Sequence, residues 1–240
     1  MHACAQELAD DSLPPGWLLV QSSSHARVAH NPRARLYYKE FLPRSPAESL
    51  KALLRGSRAK RARINSDALL RAGFDAPANI TWGKLGGGRE YLFSTMVPGD
   101  GISQWLRYTL TERHGQQLVL RRRLLSDLGK FIGRLHATGF IHGDLRPGNV
   151  LVSLQGEHFH CALIDNERTF RMTPPSGRQL LRNLMQLNML LPTDLSSTDR
   201  MRFFCAWHRQ MRDLSRLEAA LLATEAYQWA MRRLDEKGLL

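Results

Sequence analysis

The chain has 240 residues, 43% of them hydrophobic, and a formal net charge of +12. This composition suits a packed core and excludes general disorder, and no apolar run approaches the roughly 20 residues that cross a bilayer. The three widely spaced cysteines form neither a disulfide framework nor a zinc set, which favours a reducing, cytoplasmic setting.

The first part of the chain predicts a small sheet with one helix. Residues 1–15 predict a flexible tail without the apolar core of a signal peptide, and residues 16–97 predict an N-terminal lobe. Its predicted elements are, in order, strands at 17–21, 27–30 and 35–41, a helix over 46–72 that breaks at Gly56-Ser57, and a strand pair over 79–97 linked by Gly86-Gly87-Gly88.

The second part, residues 98–240, predicts a mostly helical lobe. An apolar stripe from Leu124 to Leu135 predicts a helix that ends at Gly139. A hairpin over 150–164 turns at Gly156, and three helices follow near 177–191, 197–214 and 215–234. The sequence therefore predicts an α+β fold of two lobes, the first an antiparallel sheet with one helix and the second mostly helical.

Between the predicted helix and hairpin lies a ten-residue stretch, Ile141-His142-Gly143-Asp144-Leu145-Arg146-Pro147-Gly148-Asn149-Val150. It has the pattern His-x-Asp-Leu-x-x-x-x-Asn, which is typical of the catalytic loop of protein-kinase-like enzymes. In such loops the aspartate orients and deprotonates an attacking hydroxyl, and the asparagine reaches a metal ion. The loop predicts a bilobal, protein-kinase-like fold and an ATP-dependent phosphotransferase.

Two further residues occupy positions that this chemistry requires. Asp165 follows the second strand of the predicted hairpin, where a carboxylate can be a metal ligand; the alternative is a turn residue, since Asp-Asn also favours turns. Lys39 lies in the third strand and can hold nucleotide phosphates; alone, it would be read as an ordinary exposed lysine.

The remaining candidates have weaker signals. His142 predicts a structural role, holding the backbone and the metal-binding aspartate in place. Arg146 either neutralises the transferred phosphate or is a surface arginine. Ser23 and Ser24 occupy the place of a phosphate-covering loop, where small residues let backbone amides approach phosphates, but the glycine pattern is absent and a plain hairpin turn is the better interpretation.

Two charged or amphipathic segments bear on possible partners. Five basic residues, Arg55, Arg58, Lys60, Arg61 and Arg63, predict either a solvated helix face or a site for phosphates or anionic lipid. The last helix has an apolar stripe that includes Leu217, Leu221 and Leu234, which we interpret as core rather than a membrane-binding face.

With these residues in hand, the chain resembles the Kdo/WaaP lipopolysaccharide kinase family over residues 17–211. The motifs that carry the resemblance are Tyr38-Lys39-Glu40-Phe41, Ser57-Arg58-Ala59 with residues 72–77, His142-Gly143-Asp144-Leu145, residues 163–168, residues 182–188 and residues 199–203. The resemblance implies Lys39 on ATP phosphates, Asp144 as base, and Asn149 and Asp165 on Mg²⁺. It also implies a lipopolysaccharide core glycolipid as substrate, with a heptose or Kdo hydroxyl phosphorylated at the cytoplasmic face of the inner membrane, and a peripheral contact with that membrane. Nucleic acid is the weakest partner hypothesis, because it rests on charge alone, and the sequence leaves the oligomeric state open.

The chain departs from regulated protein kinases in several places. Residues 57–66 contain no acid to pair with Lys39, leaving Glu48 and Asp67 as awkward candidates. Asp165-Asn166-Glu167 replaces Asp-Phe-Gly, and Gly143 stands where such kinases often carry arginine. These differences argue against a phosphorylation-switched activation loop. They keep two alternatives open: a small atypical protein or small-molecule kinase, and a nucleotide-binding pseudokinase.

Overall fold

The structure is a computed structural model that describes residues 1–10, 12–43, 56–175 and 177–240. The chain forms two compact units, Met1–Val97 and Pro98–Leu240. The first unit contains an antiparallel sheet and the second is mostly helical, so the predicted α+β kinase-like fold is confirmed.

Five antiparallel strands make the sheet of the first unit, in the order β1-β2-β3-β5-β4. Their bounds are β1 Leu18–Val20, β2 Ala26–Asn31, β3 Leu36–Phe41, β4 Asn79–Lys84 and β5 Glu90–Thr95. β3 pairs with β2 on one side and with β5 on the other, so Lys39 lies opposite Val28 and Leu92. A central strand fixes the register of its residues firmly, because a slip by one residue would exchange the two faces of the sheet.

The two faces of this sheet carry separate apolar clusters. Tyr38 packs on one face with Trp17, Tyr91 and Phe93. On the other face, Phe41 packs with Leu92 and with two alanines, Ala59 and Ala62, of the helix that follows β3. Because side chains alternate along a strand, Lys39 shares its face with Phe41, and its ammonium lies 5.2 Å from the centre of that ring.

The first residues of the chain form a helix rather than the predicted flexible tail. Helix α1, His2–Ala9, buries Ala5, Leu8 and Ala9. Arg27 donates to the carbonyl oxygens of Leu8 and Ala9, at 2.9 and 2.7 Å, and so caps the C-terminal end of the helix. The prediction of a flexible tail was wrong for residues 2–9, because the apolar residues of so short a segment do not show which surface buries them.

A buried carboxylate lies beneath this helix. Glu40 is fully buried, and burial raises the pKa of its carboxyl group, although Arg89 and Arg27 act in the opposite direction. Arg89 pairs with Glu40 at 3.2 Å. The same arginine also contacts the carbonyl oxygen of Ala9, so the charged pair joins α1 to β3 and to the residue that precedes β5.

The single helix between β3 and β4 begins later than predicted in the described part of the chain. α2, Arg58–Arg71, has Ser57 as its N-cap, which accepts from the amide of Lys60. The helix is followed by Gly73 at a φ of +78°, which agrees with the predicted end. The predicted helical residues 46–55, with Glu48 and Arg55, lie outside the described residues.

The basic run on α2 is not a uniformly solvated face. Arg58 is buried and donates to the carbonyl oxygens of His25 and Leu42. The Arg63 guanidinium lies 5.3 Å from the ring centre of Trp82. These two arginines therefore help to attach α2 to the sheet.

The second unit contains short strands and five of the seven described helices. Its elements are β6 Asp100–Gly101, α3 Ile102–Gln104 continuing as a wide turn over Trp105–Thr109, α4 Gly115–Ala137, β7 Phe140–Ile141, β8 Val150–Gln155, β9 His158–Leu163, β10 Phe170–Arg171, α5 Gly177–Leu187, α6 Ser197–His208 and α7 Arg216–Asp235. β8 and β9 form the predicted hairpin, and β6 pairs with β8. α5 and α6 end earlier than predicted, at Leu187 and His208.

The core of this unit is built around α4. Its buried apolar residues include Leu124, Leu128, Ile132 and Leu135, as the predicted stripe requires. Gly129 approaches α6 so closely that a Cβ there would overlap the carbonyl oxygen of Phe203. This close packing fixes the position of α4 against α6, and with it the start of the loop that follows α4.

The apolar stripe predicted as core on the last helix is mostly exposed. Leu217 is 71% exposed and Leu221 is 55% exposed. The residues of α7 that are buried are Ala219, Ala226, Ala230 and Leu234. The helix therefore packs mainly through small side chains. The prediction from hydrophobicity alone was wrong because it gave more weight to the larger apolar residues, which are exposed.

Candidate functional site

The predicted catalytic loop lies between β7 and β8 in the second unit. Leu145 and Val150 are fully buried and hold the two ends of its polar stretch in the core. Residues Pro147–Asn149 form a 3₁₀ turn. Asp144 and Arg146, by contrast, are accessible, with side chains 18% and 61% exposed.

The loop brings the carboxylate, the asparagine and the arginine of the motif together. Asn149 donates from Nδ2 to the carbonyl oxygen of Asp144 at 2.9 Å, and its backbone amide donates to the carbonyl oxygen of Arg146 at 2.8 Å. Arg146 donates from Nη2 to Oδ2 of Asp144 at 2.7 Å. Because Asn149 uses its amino group on the loop backbone, its Oδ1 is the side left for a cation or a donor.

His142 connects the loop to the backbone beside Asp165. It is fully buried, and its Nε2 lies 3.0 Å from the carbonyl oxygen of Ile164, the residue before Asp165. Burial lowers the pKa of His142, so the ring is neutral and Nε2 carries the donated proton. Nδ1 is buried without a hydrogen-bond partner among the described residues, which is tolerable for an unprotonated nitrogen.

Asp165 lies between β9 and a 3₁₀ turn, Asn166–Arg168, with left-handed backbone angles of +63° and +48°. Aspartate adopts this conformation more readily than most residues. The amide of Ile164 donates to the carbonyl oxygen of Asn149 at 3.1 Å. The backbones that carry Asn149 and Asp165 are thus joined directly and through His142.

A buried polar network supports the loop from behind. Asn183 Oδ1 accepts from the backbone amide of His142 at 3.1 Å and lies 3.2 Å from His136 Nε2. Gln186 Oε1 accepts from the amide of Leu145 at 3.0 Å and from Asn183 Nδ2 at 3.4 Å. Trp207 donates to His136 Nδ1 at 3.0 Å, so the network runs from α6 through α4 and α5 to the loop.

Burial lowers the pKa of His136 to about 4, the cause being desolvation. The ring is therefore neutral near pH 7, with a proton on Nε2, because Nδ1 accepts from Trp207. A neutral donor on Asn183 Oδ1 keeps the network free of buried charge.

The packing at Gly143 explains why this loop has a glycine where regulated protein kinases often carry an arginine. Its φ is +69°, and a Cβ there would overlap the backbone oxygen of Arg168. An arginine side chain at position 143 is therefore incompatible with this packing. The loop contacts the backbone that follows Asp165 directly.

Lys39, Ser23 and Ser24 belong to the first unit. Lys39 is half-buried in the centre of the sheet. Ser23 and Ser24 lie in an exposed turn between β1 and β2, where Ser23 accepts from the amide of Ala26 at 3.1 Å. The structure describes this segment as a hairpin turn.

The sequence offered two acids, Glu48 and Asp67, as candidates for pairing with Lys39. Asp67 accepts from Asn79 at 2.7 Å, and Glu48 lies outside the described residues. Glu40 is adjacent to Lys39 in sequence but occupies the opposite face of the sheet with Tyr38.

The donor set near the loop fits a hard divalent cation. Asn149 supplies an amide oxygen and Asp165 a carboxylate, and Mg²⁺ in phosphotransferases takes one or two such oxygens together with phosphates. Among the described residues, no group of three or more histidine, cysteine, aspartate or glutamate side chains is arranged to hold a metal ion.

Sequence reasoning did not identify His136, Asn183 and Gln186 as parts of the site. Asn183 and Gln186 are polar residues on the face of α5 that also carries Leu180, Leu184 and Leu187. Polar side chains on an otherwise buried helix face need partners, and this was the signal that could have found them.

The sheet unit, the helical unit and the loop with its aspartate and asparagine define a protein-kinase-like phosphotransferase. The model of the lipopolysaccharide kinase (Kdo/WaaP) family matches residues 21–207. The chain belongs to this family, whose members transfer a phosphoryl group to a sugar hydroxyl of lipopolysaccharide.

Two curated proteins show how far the sequence similarity extends. The EKC/KEOPS complex subunit BUD32 of Coccidioides immitis (strain RS) is 24% identical in an alignment of length 210 that covers 71% of this chain and 70% of that protein. The eukaryotic translation initiation factor 2-alpha kinase pek-1 of Caenorhabditis elegans is 31% identical over 70 residues, 29% of this chain and 6% of that protein.

Solved structures support the fold. A structure of WaaP in complex with acyl carrier protein is similar with a TM-score of 0.60 at 19% identity, covering 91% of this chain and 87% of that one. The bifunctional kinase-methyltransferase WbdD is similar with a TM-score of 0.51 at 20% identity, covering 88% of this chain and 50% of that one. None of the helices in the described ranges is both long and apolar enough to span a membrane.

Proposed function

We propose that the protein transfers the γ-phosphoryl group of ATP to a heptose or Kdo hydroxyl of the lipopolysaccharide inner core. One observation carries this proposal: the Asn149 side chain donates a hydrogen bond to the backbone carbonyl of Asp144, while the Asp144 carboxylate is accessible beside Arg146. A base, a metal-binding amide and a cation within six residues are the requirements of phosphoryl transfer to an alcohol.

Asp144 is the base in this scheme. Its carboxylate accepts the proton of the acceptor hydroxyl as that oxygen bonds to the γ-phosphorus. The bond from the γ-phosphorus to the bridging oxygen breaks at the same centre, and its electron pair leaves with ADP. The products are the sugar phosphate and ADP, and the proton remains on Asp144 until it is released to water.

Arg146 has two partners in turn. Before substrates bind it pairs with Asp144, which orients the carboxylate. Its guanidinium is 61% exposed and therefore accessible to the transferred phosphoryl group, whose charge it neutralises.

The proposed nucleotide contacts come from the first unit. Lys39 binds ATP phosphates, a role that its central position in β3 supports. Ser23 and Ser24 contribute small side chains and backbone amides near the phosphates. Mg²⁺, held by Asn149 and Asp165, supplies charge neutralisation for the donor phosphates.

We further propose that the enzyme works at the cytoplasmic face of the inner membrane, where it makes a peripheral contact and meets its glycolipid substrate. The charge of +12 supports this location, because a basic surface is attracted to anionic lipids.

The chemistry is tested with purified protein, ATP, Mg²⁺ and lipopolysaccharide core oligosaccharide. Asp144→Asn and Asp165→Asn are expected to lower the rate of phosphoryl transfer at least about a hundredfold, as loss of a base or a metal ligand does. Asp213→Asn, at an exposed site outside the loop, is the matched control and should leave the rate unchanged. Wild-type rates in both loop variants would contradict the assigned roles.

The substrate is tested by mass spectrometry of lipopolysaccharide from a deletion strain. A missing core phosphate that returns with the wild-type gene, but not with Asp144→Asn, supports the proposal. An unchanged core, with phosphoryl transfer to other acceptors, supports a small-molecule or protein kinase. Nucleotide binding without turnover on any acceptor supports a pseudokinase.

A further inference from the structure

A cavity of about 430 Å³ opens beside the catalytic loop in the second unit. Its walls are α5, the C-terminal end of α7 and Arg146 of the loop. Arg146 reaches Asp144 at 2.7 Å, so the cavity begins one side chain away from the carboxylate that we assign as the base. Its volume lies in the range of small-molecule sites, about 300–1,000 Å³.

The lining of this cavity is strongly basic. Five of its residues are cationic: Arg146, Arg178, Arg182, Arg233 and Lys237. Among the described residues that line it, none is acidic. Arg178 and Arg182 are four residues apart on α5, so their like charges repel each other along the helix.

Most of these cations have no counter-ion in the described part of the chain. Arg178, Arg182 and Lys237 make no ion pair there, and Arg233 reaches only an exposed carboxylate, Glu236, at 3.5 Å. Converging positive charges without a protein partner destabilise a fold and are compensated when an anion binds. The N-terminal turn of α5, which includes Arg178, adds the positive end of the helix dipole to the same wall.

Part of the cavity lining is apolar. Met185, Met189 and Trp229 contribute to it. A tryptophan presents a flat apolar face with little conformational freedom to lose, which suits the C–H face of a sugar ring. The cavity thus combines a surface for a ring with cations for oxyanions.

We propose that this cavity is an acceptor subsite that holds a second anionic group of the sugar substrate, a phosphate monoester or a carboxylate, apart from the hydroxyl that is phosphorylated. The proposal rests on the function proposed above. Arg182 and Arg233 bind the oxyanion from α5 and α7, and Trp229 packs against the ring that carries it. The neighbouring sugar hydroxyl then lies toward Arg146 and Asp144, so the enzyme selects an acceptor that is already charged.

The test measures binding of lipopolysaccharide core oligosaccharide to the whole protein by titration calorimetry, in three forms: intact, chemically dephosphorylated and carboxyl-reduced. The variants are Arg182→Gln and Arg233→Gln, with Arg232→Gln on the same helix as the matched control, since Arg232 is exposed and does not line the cavity. Melting temperatures establish that all three variants fold.

Each cavity variant is expected to weaken binding of the intact oligosaccharide about 10- to 100-fold, as loss of one charge-assisted hydrogen bond does. Arg232→Gln should bind like the wild type. The treatment that removes the recognised group should weaken binding to the wild type by a similar factor and make it insensitive to Arg182→Gln. Sensitivity to dephosphorylation identifies a phosphate, and sensitivity to carboxyl reduction identifies a carboxylate.

Steady-state kinetics distinguish this inference from the proposed function. The cavity variants should raise KM for the oligosaccharide and leave KM for ATP unchanged. If wild-type protein phosphorylates the oligosaccharide and the variants do so with unchanged KM and affinity, the subsite is refuted and the kinase function stands. If the wild type neither binds nor phosphorylates any form, the proposed function fails and the subsite fails with it.

Discussion

Asn183→Ala tests whether the buried network positions the catalytic loop. The substitution removes the acceptor of two buried donors, His136 Nε2–H and the backbone N–H of His142. It also removes the donor to Gln186 Oε1. Asn183 contacts neither the proposed base nor the metal ligands, so it acts as a positioning residue.

The structure sets the expected magnitude. A buried donor left without its partner costs about 1–3 kcal/mol, so two of them lower the free energy of unfolding by about 4 kcal/mol. At about 3 °C per kcal/mol for a unit of this size, the melting temperature should fall by about 12 °C. Because His142 then loses its backbone anchor, kcat measured on folded protein should fall at least about tenfold.

Asn188→Ala is the matched control. Asn188 is also buried and follows α5, where it donates to Leu184 and accepts from Arg200 at 2.6 Å, but none of its contacts reaches the loop. It should lower the melting temperature and leave kcat and KM unchanged. Calorimetry and kinetics at a temperature where all proteins are folded provide the measurements. Equal kcat values in the two variants would refute the positioning role of Asn183.

Two further predictions concern the same region. The folded protein binds a proton at His136 more weakly than the unfolded chain does, since its pKa falls from 6.5 to about 4, so stability should decrease by about 3 kcal/mol as the pH falls between these values. His136→Gln should reduce this dependence in denaturant titrations across that pH range, leaving the part that His142 contributes because burial lowers its pKa as well, and an unchanged slope would exclude His136 as a source. Gly143→Ala should combine the strain of a positive φ, about 1–2 kcal/mol, with overlap against Arg168, and should lower both stability and activity. Gly156→Ala, at a φ of +61° with nothing within 4 Å of an added Cβ, carries the strain alone, so activity lost equally in both variants would contradict this reasoning.

The elements that the sequence predicted correctly are those with strong local patterns. The helix α4 has a wide apolar stripe and a glycine two residues after its end, and the hairpin of β8 and β9 has alternating residues around Gly156. The stretch from Leu36 to Phe41 also formed the expected strand. Each of these signals depends on residues within about one element length of each other.

The predictions were wrong for two helices, α7 and α1. The buried side chains of α7 are small, and α1 is too short for its sequence to show which face is buried. α7 buries alanines and exposes Leu217 and Leu221, because two helices that approach closely leave room only for small side chains. α1 was missed because Ala5 and Leu8 are too few to indicate a helix without the sheet that covers them.

The sequence by itself determined the loop from His142 to Asn149 and therefore the class of chemistry. The polar side chains of this loop are close along the chain, so a single turn fixes their spacing. Only the tertiary structure decided what supports that loop and what lies beside it. Asn183 and Gln186 come from a helix about 40 residues further on, and the basic cavity combines α5, α7 and Arg146. Such contacts depend on how whole helices pack, and packing is set by all of the buried surfaces together rather than by any local pattern.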